Sequence, residues 1–112
     1  MLKKQYRLTK DKEFDKVFRN GRSSYDKVLG IKALNNGMDY CRFGIMVSAK
    51  VSKKAVERNT IRRRLNETLR NKMPLFKIRA DVVIIVLPAA RDKTSKLLAD
   101  SLTYNLSKLK VI

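Results

Sequence analysis

The run "DVVIIVL", residues 81 to 87, limits the fold more than any other stretch of this chain. Six consecutive apolar residues, five of them β-branched, have strand composition without the alternation of a strand that keeps one face wet. Such a strand sits inside a sheet and is covered on both faces, and helices are the elements that supply the cover. The other segments are therefore read as its partners.

Thr9 is placed to cap a first helix that carries Phe14, Val17 and Phe18 on one face and stops at Gly21. "VLGIKAL" (28 to 34) and "CRFGIMVS" (41 to 48) read as strands flanking "NNGMD". Asn36-Gly37 is a strong turn signal, so these two are expected to pair as an antiparallel hairpin. A second helix, capped by Ser52, is expected to run to about Lys72 before Pro74 ends it. A last helix, capped by Asp92 or Thr94, sets Leu98, Leu102, Leu106 and Leu109 on one side.

The order is α-β-β-α-β-α in a single domain spanning residues 1 to 112, which makes the fold class α+β: an α/β sandwich with a central mixed sheet packed by helices. The strands before and after the middle helix are expected to be parallel neighbours, and general statistics favour a right-handed crossover between them. No repeat or linker divides the chain.

Cys41 is the only cysteine and there is no histidine. This excludes an internal disulfide, leaves no zinc-ligand set and removes the commonest general acid or base. Cys41 itself reads as a small buried hydrophobe. The longest apolar run, "VVIIVLPAA" from Val82, is too short to span a bilayer, and "MLKKQYRLTKDKEF" has no apolar signal core. A soluble, cytoplasmic protein is expected.

Charge points to the partner. With 27 Lys and Arg against 10 Asp and Glu, the chain carries a net charge of +17, and such self-repulsion costs stability unless a polyanion relieves it. Anionic membranes and acidic proteins are polyanions too, but a compact domain this basic carries the footprint of a nucleic-acid binder. In "VSKKAVERNTIRRRLNETLR" (51 to 70), seven Lys or Arg meet two acids. On a helical wheel Ile61, Leu65, Thr68 and Leu69 share one arc, suited to packing on a sheet. Asn59, Arg62, Arg63, Asn66 and Arg70 share the adjoining arc, and Arg58 lies near the border. A solvated helix usually pairs Glu with Lys, whereas this face is almost purely cationic. It reads as a phosphate-binding face, since the guanidinium fork pairs bidentately with phosphate.

Phe14 and Phe18, four apart with Arg19 and Arg22 following, are either core or a stacking platform for unpaired bases. Lys32 either lines the same groove or is an exposed strand lysine. The acids are dispersed: Asp11, Glu13 and Asp15 suit a helix N-terminus, and no carboxylate cluster fits two-metal hydrolysis.

These residues resemble the protein subunit of bacterial ribonuclease P. Arg7-Leu8, Phe14, Val17-Phe18 and Gly21 match its N-terminal pattern. "AVERNTIRR", with Ala55, Arg58, Asn59, Ile61, Arg62 and Arg63 in register after "VSAK", matches its Arg-Asn helix. The chain departs from that pattern at Thr60 and Ala49, where cations are common, and at Lys32, where many relatives have a cleft aromatic.

The resemblance implies a fold like a ribosomal-protein domain, with a left-handed βαβ crossover. It also implies an accessory subunit of an endoribonuclease whose catalyst is RNA, with magnesium held mainly by that RNA and no catalytic residue in the protein. The implied partners are ribonuclease P RNA, with one protein per RNA, and precursor tRNA, and no membrane. Lys50, Lys53, Lys54, Arg58, Asn59, Arg62 and Arg63 would contact the catalytic RNA, and Phe14, Phe18 and Lys32 the 5′ leader of the substrate. The alternative is a general RNA-binding or ribosomal protein of similar fold with no role in cleavage.

Overall fold

The computed structural model describes residues 3 to 112. Helix α1 (Asp11–Asn20) leads into strands β1 (Arg22–Tyr25), β2 (Leu29–Asn35) and β3 (Arg42–Met46). These are followed by α2 (Ala55–Lys72), β4 (Ala80–Val86) and α3 (Ser95–Lys108). The sheet order is β1-β2-β4-β3, with β4 antiparallel to β2 and parallel to β3.

The apolar run does take an interior place, and that corrects the expected hairpin. β2 and β3 do not pair, because β4 lies between them. A strand buried on both faces gains most from two neighbours, and β4 has them. The Asn36-Gly37 turn forms, with Gly37 at φ +67°, but its loop passes the start of β4 instead of closing a hairpin. Asn36 is tied there: its backbone N–H donates to Arg79 O at 3.1 Å and its amide to Asp81 Oδ1 at 2.9 Å.

The true hairpin is β1–β2, and β1 is an element that the expected order lacked. "RSSY" is short and polar, so nothing in it announces a strand. Its turn is made by Asp26, whose carboxylate accepts from the backbone N–H groups of Val28 and Leu29, both at 2.8 Å. Asp26 also accepts from the Ser101 hydroxyl and the Asn105 amide of α3, and Ser24 donates to Asn105 Oδ1 at 2.7 Å. The edge hairpin is thus fastened to α3 by a satisfied buried network.

Two caps also differ. α1 starts at Asp11 after Lys10, not after Thr9, and the Glu13 carboxylate accepts from the backbone N–H of both Lys10 (3.0 Å) and Thr9 (3.2 Å). α2 starts after Lys54, not after Ser52. Thr94 does cap α3, accepting from Leu97 N at 3.1 Å. Gly21 does end α1, at an ordinary φ of −77°. It is needed for closeness, since a Cβ there would lie 2.5 Å from Val17 O.

One sheet face carries Leu29, Ile31, Ala33, Phe43, Val82 and Ile84, packed on Ile61, Leu65 and Leu69 of α2 and on Leu98, Leu102 and Leu106 of α3. Cys41 is buried at the edge of this core, where burial pushes its thiol pKa up. The other face has a smaller cluster of Leu8, Val17 and Val83 beneath α1. Three helices cannot cover both faces fully, and the uncovered part lies beside α1.

Candidate nucleic-acid interface

The register lays the α1 face out in rows. Leu34, Asp81 and Arg42 form one row, Ser23, Lys32, Val83 and Gly44 the next, and Tyr25, Gly30, Ile85 and Met46 the third. α1 covers the first two. Arg42 donates to Asp81 through Nε (2.9 Å) and Nη2 (2.7 Å), and through Nη1 to Glu13, clamping α1 to the sheet. The Asp81 hydrogen bond raises the Arg42 pKa, and the backbone N–H of Lys10 is the main cause lowering that of Glu13.

The third row is open. Tyr25 is 50% exposed and Met46 43%; Met46 joins the half-buried rings of Phe14 and Phe18 in an aromatic and apolar groove, and the Tyr25 ring lies over Gly30 in the same row. A cavity of about 410 Å³ runs between Phe14, Phe18 and Met46, with Asp11 and Asp15 at its rim. The two rings are core in part: both pack against the cluster of Leu8, Val17 and Val83, and both also line the cavity. Lys32 is half-buried, its ammonium 5.7 Å from the Phe18 ring centroid, a cation–π distance. Rim carboxylates repel phosphate, so the groove suits the flat faces of bases more than a backbone. Tyr25, Ile85 and Met46 escaped the sequence reading because only strand pairing aligns them.

The cationic residues group on α2 and the loop before it. Lys50, Lys53, Lys54 and Arg63 are exposed. Arg58 is half-buried and donates to Ser52 O at 2.9 Å, so its guanidinium shapes the loop carrying those lysines. Ser52 accepts from Lys54 N at 3.1 Å and donates to the Glu57 carboxylate, and that bond is the main cause lowering the Glu57 pKa. Arg62 is held by Asn59 Oδ1 at 2.8 Å and leans toward Val47 O on the β3 side. Arg70 is less available than the wheel implied, because Glu67 pairs with it at 2.6 Å. Arg91, which sequence reasoning missed, joins Lys50, Lys53 and Lys54 around a concavity of about 360 Å³.

The two regions meet. A cavity of about 200 Å³ at the β3 edge is lined by Arg7, Arg62 and Asn66 on one side and by Phe14 and Gly44 on the other. Phe14 is thus a wall of both the aromatic groove and the basic edge.

A family model described as Ribonuclease P matches residues 2 to 110. The ribonuclease P protein component of Alkaliphilus metalliredigens is 33% identical over 106 residues, 95% of each chain. That of Clostridioides difficile is 42% identical over 90 residues, covering 80% of this chain and 78% of its own. Among solved structures, the RNase P protein of Staphylococcus aureus superposes with a TM-score of 0.88 at 30% identity, covering 95% of this chain and 96% of its own. The RNase P protein of Thermotoga maritima superposes at 0.81 with 28% identity and the same coverage.

Proposed function

The chain belongs to the ribonuclease P protein component family, and from that premise we propose that it is the accessory subunit of a ribonuclease P ribonucleoprotein. It binds the catalytic RNA through α2 and the preceding loop, with Lys50, Lys53, Lys54, Arg58, Asn59, Arg62 and Arg63. It guides the 5′ leader of precursor tRNA through the groove of Phe14, Phe18 and Lys32, extended by Tyr25 and Met46. The observation that carries this reading is the shared wall at Phe14, which sets a base-stacking groove against a basic helix. A substrate strand in the groove would then lie beside the RNA on α2.

Hydrolysis of the leader phosphodiester falls to the RNA. Magnesium is held there, mainly by its phosphates. The protein supplies charge and shape, one copy per RNA, in the cytoplasm. Stacking is sequence-tolerant, which suits leaders of varied sequence.

The test is 5′ cleavage of a precursor tRNA by a bacterial ribonuclease P RNA at low magnesium, with and without the protein, and by the protein alone. Rescue that needs both components is expected. Tight RNA binding without rescue would move the reading to a general RNA-binding protein, and cleavage by the purified protein alone would overturn the division of labour.

A further inference from the structure

At the far end of α2 from the lysine loop lies a second aromatic cavity, of about 240 Å³. Cys41 and Phe76 form its floor, Tyr6, Tyr40, Met73 and Pro74 its walls, and Asp39 and Arg79 its rim. It belongs to neither the groove beside α1 nor the concavity around Arg91.

The cavity is rigidly built. The Tyr6 and Tyr40 rings meet edge to face at 5.6 Å and 77°, and Phe76 meets Phe43 below at 5.5 Å and 88°. The Arg79 Nε donates to Asp39 O at 3.1 Å, which holds the guanidinium at the rim. Preformed aromatic walls cost a ligand little ordering.

What it takes follows from size and charge. The volume suits one planar group and falls below the roughly 300 Å³ at which pockets for larger molecules begin. Among the described residues, Arg79 is the one cation of the lining, and it stands at the rim beside Asp39. An apolar side chain of a protein partner has no use for that charge, whereas a nucleotide uses both parts. Its base stacks on tyrosine and its phosphate meets arginine. Asp39 adds an acceptor for a base N–H.

Position supports the same occupant. Asn59, Arg62, Asn66 and Met73 follow one stripe of α2, at spacings of three, four and seven. Met73, the residue that ends the helix, is a wall of the cavity. A strand laid on this stripe, whose cation is Arg62, would reach the cavity after the helix length, about 27 Å at about 1.5 Å per residue for 18 residues.

We propose that this cavity holds one unpaired nucleobase of the RNA bound along α2, stacked on the tyrosine pair with its phosphate on Arg79. The inference rests on the RNA-binding reading above and adds to it a base-holding site at the opposite end of the helix.

The test is chemical probing of base accessibility, with dimethyl sulfate and a carbodiimide, on a bacterial ribonuclease P RNA alone and in complex with the wild-type, Tyr6→Leu, Arg79→Gln or Arg62→Ala protein. Wild type is expected to shield one unpaired base that both cavity variants expose again, with binding weakened about tenfold and the other protections kept. Arg62→Ala should weaken binding without exposing that base selectively. If Tyr6→Leu unfolds the protein, as circular dichroism would show, Arg79→Gln decides alone. A complex whose protections are unchanged by the cavity variants overturns this site and leaves the RNA-binding reading standing. Failure of the wild-type protein to bind the RNA overturns both.

Discussion

The ring of Phe14 fills the space that a side chain on Gly44 would need: a Cβ built there would come within 2.4 Å of Phe14 Cε1. The absence of a side chain on β3 therefore lets an α1 aromatic lie on the sheet and form a wall of the groove. Sequence pattern shows each residue, but only the fold shows that one depends on the other.

Replacing Gly44 with Ala should push the Phe14 ring off the sheet while leaving α2 untouched. Affinity for a precursor tRNA carrying a leader is expected to fall about tenfold, the scale of one lost stacking contact, with affinity for mature tRNA unchanged. Fluorescence anisotropy of the holoenzyme with the two ligands checks this; an equal fall for both would mean that Phe14 has no leader contact.

Arg42 holds Asp81 and Glu13 together, and Asp81 is 5% exposed. Arg42→Met leaves a buried carboxylate with Asn36 as its remaining side-chain partner and should cost about 3–5 kcal/mol in urea denaturation. Adding Asp81→Asn removes the stranded charge and should restore part of that loss. No restoration in the double variant would show that packing, not charge, sets the cost.

How far the sequence carried the fold can be read from these residues. β-branched density placed β4 in the interior, and the leucine spacing of α3 placed its buried stripe, because both are local patterns that packing respects. The β2–β3 hairpin failed because Asn36-Gly37 reports a turn and not which strands it joins; that choice belongs to the burial of β4. β1 was invisible because its stability comes from Asp26, Ser101 and Asn105, partners about 75 to 80 positions apart in sequence. At the candidate interface, the exposed cations of α2 were legible from the helical wheel. Tyr25, Met46 and Arg91 were not, since each joins its neighbours only through strand register or loop packing.

Asp26 makes stability depend on acid. Burial raises its pKa, but the Ser101 hydroxyl, the Leu29 and Val28 amides and Asn105 outweigh this, so the folded value lies below the ordinary 3.8. A depressed carboxylate contributes stability that is full above the unfolded value and is lost as pH falls through the folded one. Melting temperature should therefore be flat near neutrality and fall below about pH 4. Asp26→Asn should lose about 1–3 kcal/mol at neutral pH through its unsatisfied amide contacts, and should flatten part of the acid-side fall. An Asp26→Asn protein with the wild-type acid profile would assign that fall to other carboxylates.

Arg62 and Arg70 share the cationic arc of α2 but differ in their neighbours. Arg62 is braced by neutral acceptors, Asn59 Oδ1 and Val47 O, so no acid among the described residues balances its charge, whereas Arg70 is paired with Glu67 at 2.6 Å. Phosphate binding releases counterions in proportion to the free charge engaged, so Arg62→Ala should reduce the slope of log K against log salt by about one. The guanidinium lost in Arg70→Ala is one that Glu67 already engages, so it has little free charge to offer a phosphate. The substitution should therefore weaken binding less at low salt and change the slope by well under one. Filter binding of the ribonuclease P RNA across a salt series distinguishes the two variants. Equal slopes would mean that the Glu67 pair opens on binding and that the whole arc acts as one phosphate-binding surface.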